Sequence, residues 1–188
     1  MLRPMSAVAK SSMTVDEYLA WSEGQDGRWE LIDGETVKME AERVEHLEIK
    51  LAAATALIDA IRRAKAPCQT LPDGATVRIS KSTAYEPDVL VRCGPRLPRG
   101  TLEIPDPVVV VEVLSPSSAG RDYGEKVDGY FSVPTVQHYL ILIPDQRKVV
   151  HCRRGQGDVS ERRLVASGPI HLDPPGVEVE VEAMFGEE

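Results

Sequence analysis

The sequence predicts an α/β or α+β domain in which a mixed β-sheet is flanked by helices. Three observations lead to this fold class. Helix-like and strand-like segments alternate along the chain, residues 41–65 carry a long helical pattern, and residues 108–114 form a nearly continuous aliphatic run. Such a run is typical of a central strand that is covered on both faces.

The bulk composition fits one globular domain. The 188 residues are 42% hydrophobic and 28% charged, and no apolar stretch reaches the roughly 18 residues of a membrane span. We expect residues 1–12 to be a flexible leader, not a signal peptide, and residues 13–188 to form the domain. Cys68, Cys93 and Cys152 are few and widely spaced, so we predict neither a disulfide framework nor a zinc site. A cytoplasmic location is then expected.

The formal net charge of -8 argues against a protein that coats nucleic acid by bulk electrostatics. It does not exclude an enzyme, because metal-binding carboxylates add negative charge and the metal reverses the local field. Basic residues also occur in short clusters along the sequence, but most such clusters are ordinary solvated surface and not contacts to a DNA backbone. They are Arg62, Arg63 and Lys65; Arg96 and Arg99; Arg153 and Arg154; and Arg162 and Arg163.

The N-terminal half predicts a helix, a hairpin and a second helix. Thr14 is placed to cap a helix that ends near residue 22. The pair Asp33-Gly34 separates two extended runs, residues 29–32 and 35–39, which is a strong hairpin signal. The helix over residues 41–65 is predicted to bury one stripe with 4-3-4-3 spacing. Its members are Leu47, Leu51, Ala54, Ile58 and Ile61.

The C-terminal half predicts mainly strands. A loop rich in Pro, Gly and Arg covers residues 94–105, and a helix over residues 121–131 is weakened by Gly124 and Gly129. A turn at Pro144-Asp145 separates two of the strands. Strands are predicted over residues 75–80, 86–92, 108–114, 138–143, 148–153, 162–166 and 177–181, the last two at edges.

Two carboxylates lie beside or within apolar strands and predict a site. Asp88 lies early in the strand predicted over residues 86–92, and Glu112 lies near the end of the valine run. An ionised carboxylate in such a place is costly unless something compensates it. If the two strands are neighbours, these carboxylates could converge at one edge and hold Mg²⁺, with the carbonyl of Val113 as a further oxygen ligand. Lys126, on the following helix, could stabilise charge on a phosphate.

The same residues resemble the PD-(D/E)xK nuclease signature, with Pro87-Asp88 followed by Glu112-Val113-Leu114. Leu114 stands where the signature has its lysine. Some members of that superfamily carry the lysine on the next helix instead, and Lys126, 14 positions after Glu112, matches that displaced lysine.

The chain more closely resembles the Uma-type restriction endonucleases of bacteria. The resemblance implies a restriction-endonuclease-like core with an N-terminal helix and hairpin, and DNA cleavage that depends on Mg²⁺, with Mn²⁺ as a substitute. It implies Asp88 and Glu112 as metal ligands, Lys126 and Glu30 as catalytic residues, and His46 as a recurring histidine. The matching segments are residues 29–35, 86–91, 110–117 and 139–142, together with Asp122, Lys126 and Tyr130.

Each candidate also has a structural explanation. Asp88 could end a turn, Lys126 could be solvated, and Glu30 could pair with Lys38 across the hairpin. Asp122 is by default a carboxylate at a helix start. Tyr130 and Phe131 are predicted to belong to the core.

The first functional hypothesis is therefore a cytoplasmic, Mg²⁺-dependent endonuclease acting on DNA. Cleavage of both strands of a duplex would favour a homodimer. The second hypothesis is a catalytically inactive binding module with the nuclease fold, which acts through a protein or nucleic-acid partner. A third is a nuclease for RNA or branched substrates. A serine hydrolase is disfavoured because no Gly-x-Ser-x-Gly turn occurs, and glycine-rich phosphate loops are absent.

Overall fold

Three helices and twelve strands lie in the part of the chain that the computed structural model describes, which is residues 12–115, 120, 123–155 and 160–186. The helices are α1 (Val15–Ser22), α2 (Val44–Ala64) and α3 (Glu125–Ser132), with 3₁₀ turns at Pro144–Gln146 and Glu182–Met184. The strands are β1 (Trp29–Ile32), β2 (Glu35–Lys38), β3 (Cys68–Pro72), β4 (Val77–Arg78), β5 (Ala84–Tyr85), β6 (Val89–Cys93), β7 (Pro107–Val113), β8 (His138–Ile143), β9 (Lys148–Arg154), β10 (Ser160–Val165), β11 (Pro169–Leu172) and β12 (Val177–Glu180). The predicted mixed α/β fold class is confirmed.

The central sheet has the strand order β10-β9-β8-β7-β6-β3. Strand β7 pairs antiparallel with β6 and parallel with β8, so it lies inside the sheet. Val109 and Val111 pack in the core cluster that α2 contributes to, while Val110 packs on the opposite face with α3. Both faces of β7 are covered, as its aliphatic run predicts.

A smaller sheet, in the order β2-β1-β5-β4, adjoins the central one. Thr14 forms a full capping box with Glu17 at the start of α1. The predicted β1–β2 hairpin is present, and Asp33 and Gly34 both have positive φ, 50° and 82°. A two-residue turn with two positive φ angles matches the right-handed twist of the flanking strands. Residues 86–88 then carry the chain from β5 in this sheet to β6 in the central sheet.

The buried face of α2 differs from the predicted stripe by about one residue. Leu47 and Leu51 are exposed, with 48% and 69% of their surface accessible. The helix instead buries a stripe that shares Ala54 and Ile61 with the predicted one. Its members are Lys50, Ala53, Ala54, Ala56, Leu57, Ala60 and Ile61. Hydrophobic spacing alone did not separate these two stripes, because both recur at helical intervals.

Cys68 and Cys93 form a disulfide, which corrects the prediction that the cysteines would not pair. They are 25 positions apart in sequence but face each other directly where β3 pairs with β6. Cys152 is free and buried. The disulfide removes the cysteine argument for a cytoplasmic location, because disulfides are rare in reducing compartments.

Several other strand predictions change in extent or partner. Strands β3, β5 and β11 were not predicted, and the strand predicted over residues 75–80 is reduced to the two residues of β4. Strand β10 lies at the edge of the central sheet as predicted, while β12 pairs with β11 in a separate hairpin. The predicted leader, up to residue 11, and Asp122 lie outside the described residues. Among the residues described, none of the helices has both the length and the apolar character to cross a membrane.

Candidate active site

Glu112 is a buried carboxylate near the end of β7, on the face of the sheet that α3 covers. Its Oε1 lies 2.8 Å from the Lys126 ammonium and accepts a 2.7 Å hydrogen bond from the Tyr130 hydroxyl. Lys126 and Tyr130 are four residues apart on α3, so one face of the helix presents both. Burial and the negative charge of Glu112 raise the pKa of Tyr130, which keeps its hydroxyl protonated as a donor.

Lys126 joins Glu112 to the hairpin through Glu30. The Lys126 ammonium lies 3.2 Å from Glu30 Oε1, and the same oxygen accepts the Glu86 backbone N–H at 3.3 Å. Lys126 is 4% exposed and Glu30 2%, so Lys126 is not a solvated surface residue. Glu30 faces Val37 in the hairpin register, which excludes the alternative of a cross-strand pair with Lys38.

Asp88 lies at a bend immediately before β6, where it meets both the sheet and α2. Its Oδ2 accepts the backbone N–H of Val113 at 2.6 Å, and its Oδ1 lies 2.9 Å from the Lys50 ammonium. His46 Nε2 is 3.6 Å from Oδ2. Burial alone would raise the pKa of Asp88, but the hydrogen bonds and the charge of Lys50 lower it to about 2. Asp88 is therefore ionised at neutral pH.

Lys50 is a site residue that the sequence analysis missed. Its ammonium lies 2.6 Å from Asp73, 2.8 Å from Glu42 and 2.9 Å from Asp88, while the residue is 6% exposed. Burial disfavours its charge, but Asp88 and the hydrogen bonds from Lys50 to these carboxylates prevail and raise the pKa of Lys50. Arg28 contacts two of the same carboxylates, 2.7 Å from Asp73 and 3.1 Å from Glu42.

A signal for Lys50 was present in the sequence. Lys50 lies three residues before Ala53 and seven before Leu57, so a lysine occupies a position on an otherwise apolar stripe. A buried lysine needs paired carboxylates. Glu42 and Asp73 carried no comparable signal, because they lie in separate loops that only the tertiary fold brings together.

The charged groups form two adjoining clusters. The Lys126 cluster contains Glu30, Glu112, Lys126 and Tyr130, and the Lys50 cluster contains Glu42, Lys50, Asp73 and Asp88. They join at the β6–β7 pair, where Val89 faces Val111 and the Asp88 carboxylate binds the amide next to Glu112. With Arg28, and with Glu86 that Arg28 contacts at 2.5 Å, they hold six carboxylates against three cationic groups, an excess of negative charge that favours a divalent cation.

The best-arranged cation ligands are Glu42, His46 and Asp88, which each offer one atom within 4.8 Å of the others. Two carboxylates suit Mg²⁺ or Mn²⁺, and the imidazole suits Mn²⁺ better than Mg²⁺. The predicted set of Asp88, Glu112 and the Val113 carbonyl remains a prediction. In the structure, Val113 gives its amide N–H to Asp88.

Comparison with known proteins gives consistent matches over most of the chain. An uncharacterised protein of Synechocystis sp. is 28% identical over 175 residues, which is 92% of this chain and 91% of the relative. A crystal structure from Anabaena variabilis, of "a putative nuclease belonging to DUF820", matches with a TM-score of 0.71 at 16% identity. The match covers 92% of this chain and 97% of that one. At that identity it shows a shared fold, which is the restriction-endonuclease-like core that the sequence predicts.

A family model matches residues 15–184, and therefore includes α1, the hairpin and both charged clusters. Its description is "Uma2: Putative restriction endonuclease". The match agrees with the resemblance on which Asp88, Glu112 and Lys126 were predicted. This chain belongs to the Uma2 family.

Proposed function

We propose that this chain is a metal-dependent endonuclease that hydrolyses phosphodiester bonds in DNA. The observation that carries the proposal is the pair of buried lysines set among five carboxylates at one end of the β6–β7 pair. Two comparisons support the choice of reaction class and of DNA as substrate: the family carries the description "Putative restriction endonuclease", and the fold is shared with "a putative nuclease".

Each residue has a role that follows from its contacts. Asp88 is ionised and, with Glu42 and His46 or with Glu112, would hold Mg²⁺ or Mn²⁺. Such a cation, when bound, polarises a phosphoryl oxygen and lowers the pKa of a water. Lys126 lies 2.8 Å from Glu112, close enough to stabilise negative charge on a phosphate at the same place.

Tyr130 and Glu30 hold Lys126 and Glu112 in position. The Tyr130 hydroxyl fixes the Glu112 oxygen that also contacts Lys126, and Glu30 contacts the ammonium from the other side. Both supporting residues are at most 2% exposed, so their side chains have little freedom. This agrees with the general need for catalytic groups to be held by packed neighbours.

The test is nicking of supercoiled plasmid by the full chain in Mg²⁺ or Mn²⁺. We expect the wild type to cleave, and we expect Glu112→Gln, Asp88→Asn and Lys126→Met to lose about 100-fold or more of the rate. A matched control is Asp106→Asn, since Asp106 forms an ion pair with Arg92 away from the two clusters. Circular dichroism verifies that each variant is folded.

Near-normal cleavage by all three site variants would contradict the proposed site. Cleavage of RNA or branched DNA with no cleavage of the plasmid would keep the site and change the substrate. EDTA should abolish the wild-type rate, and readdition of Mn²⁺ should restore it.

A second candidate function is the inactive binding module, and the burial of the clusters favours it. Lys50, Asp88, Glu112 and Lys126 are each at most 6% exposed, and the lysines already partly neutralise the carboxylates. Under this alternative, isothermal titration calorimetry would find weak Mn²⁺ binding or none, and the wild type and Asp88→Asn would give the same result. Tight metal binding that depends on Asp88 would count against it.

A further inference from the structure

The outward side of α2 carries an apolar stripe with no partner among the described residues. Val44, Leu47 and Leu51 have 66%, 48% and 69% of their surface exposed, and they follow the i, i+3, i+7 spacing of one helix face. The other exposed large hydrophobic residues, Val37, Leu102 and Leu164, are scattered over other elements. Single exposed apolar residues are ordinary, but three on one face form a patch. We call Val44, Leu47, Leu51, Thr55 and Ile58 the outer face of α2.

The outer face is symmetric about Leu51. Val44 and Ile58 lie seven positions to either side of it, and Leu47 and Thr55 lie four positions to either side. A second α2 running antiparallel would therefore place Leu51 against Leu51 of the partner subunit and Val44 against Ile58 of the partner subunit. Self-complementarity of this kind is what a two-fold contact between identical chains requires.

The charged residues that flank the outer face obey the same symmetry. Arg43, the N-cap residue of α2, and Asp59 lie eight positions before and after Leu51. Both are exposed, and Asp59 forms an exposed 3.5 Å ion pair with Arg62 within the helix. The antiparallel arrangement sets Arg43 near Asp59 of the partner subunit, and the two-fold axis repeats this contact. A parallel arrangement would bring like charges together instead.

A shallow depression lies beside Leu51, where α2 meets the C-terminal 3₁₀ turn. Its floor is formed by small residues, and Glu48, Thr55 and Asp59 also line it; the small residues are Ala52, Ala56, Ala183 and Gly186. A leucine from an antiparallel helix would fill this depression and bury its own exposed surface. Burial of apolar area is the main source of stability in such contacts.

We propose that the outer face of α2 is a homodimer interface, in which two α2 helices pack antiparallel across Leu51. The buried face of the same helix carries Lys50 and packs against the central sheet of its own chain. The dimer therefore leaves the Lys50 cluster and the Lys126 cluster intact. The proposal depends on the exposed face and its charges, and it holds whether or not the protein cleaves DNA.

The test is the mass of the full chain by sedimentation equilibrium. We expect the wild type to have twice the chain mass of 20.6 kDa, and Leu51→Glu to be a monomer, because it places two carboxylates together on the axis. Leu51 is 69% exposed within one chain, so Leu51→Glu should remain folded. Leu164→Glu is the matched control, since Leu164 is 58% exposed on the edge strand β10. It should remain a dimer.

Charge reversal tests the antiparallel register. Arg43→Glu should weaken the dimer several-fold, and adding Asp59→Arg to it should restore the wild-type dissociation constant. A wild type that is monomeric at about 100 μM would overturn the proposal, because its dissociation constant would then be larger than that concentration. A Leu51→Glu variant that remains dimeric, or a double variant that is no better than Arg43→Glu, would also overturn it.

Discussion

Lys50 contacts three carboxylates with one positive charge, and this charge affects how tightly the Lys50 cluster can bind a metal cation. Its ammonium lies within 2.9 Å of Glu42, Asp73 and Asp88, two of which are also candidate metal ligands. A divalent ion bound to Glu42, His46 and Asp88 would have to share or displace this ammonium. Lys50 therefore competes with the metal for the same oxygens.

We expect Lys50→Met to bind Mn²⁺ more tightly than the wild type, by about tenfold or more. The reason is that a unit charge a few ångströms from the ion opposes its binding by a few kcal/mol at most, and about 1.4 kcal/mol already corresponds to tenfold. Isothermal titration calorimetry measures the affinity, and the rise of Tm with Mn²⁺ gives a second readout. Lys81→Met is the control, because Lys81 is exposed. Weaker binding by Lys50→Met would show instead that Lys50 holds the ligands in place.

Charged residues that interrupt apolar strands could be predicted as site residues from the sequence. Glu112 and Asp88 stand out because burial of a carboxylate in a valine run demands compensation. Lys50 interrupts an apolar helix face in the same way, but it is not a member of the buried stripe that was predicted for α2. Glu42 and Asp73 lie in loops, where acidic residues are common, so no local pattern separates them from ordinary surface.

Strand β3 closes one edge of the central sheet, and its disulfide to β6 attaches that edge covalently. The pairing could not be predicted from the sequence, because three cysteines give no indication of which strands will be neighbours. Only the antiparallel register sets Cys68 opposite Cys93. The two cysteines lie at the first position of β3 and the last of β6, so the disulfide is at the opposite end of β6 from Asp88.

We expect the denatured, unreduced protein to expose one reactive thiol per chain, that of Cys152. Titration with a chromogenic disulfide reagent in guanidinium measures this, and Cys152→Ala should then give none. Reduction should lower the free energy of unfolding by about 3 kcal/mol, because the disulfide closes a loop of 25 residues in the unfolded chain. Three reactive thiols in the wild type would contradict the pairing.

The fold as a whole was predictable where local chemistry decides the structure. The Asp33-Gly34 turn, the Thr14 cap and the valine run of β7 each specify their element without help from the rest of the chain. The orientation of α2 is different in kind. Leu47 and Leu51 are as apolar as Leu57, and only the docking of Lys50 onto Asp88 and of the alanines onto the sheet selects the buried face. Tertiary contacts therefore override the local pattern at the helix that carries part of the site.

The stability of the whole molecule should depend on a histidine pair outside the two clusters. His138 and His151 lie on neighbouring strands, β8 and β9, with Nδ1 of His138 2.9 Å from Nε2 of His151. They are 0% and 7% exposed. Burial lowers the pKa of both imidazoles to about 4. The positive charge of Arg153 lowers the pKa of His138 further, and His138 lowers that of His151. One neutral ring donates to the other, and two charged rings at this distance would repel.

We therefore expect the free energy of unfolding to decrease as the pH falls from 6.5 towards 4. In this window His138 and His151 take up protons in the unfolded chain but not in the native protein, so acid favours unfolding. The slope should approach about 1.4 kcal/mol per pH unit for each imidazole. Urea unfolding at several pH values measures it, and His151→Gln should reduce the slope. His171→Gln, whose side chain is 76% exposed, should leave it unchanged. A wild-type slope that is equal to that of His151→Gln would mean that the buried pair does not titrate in this way.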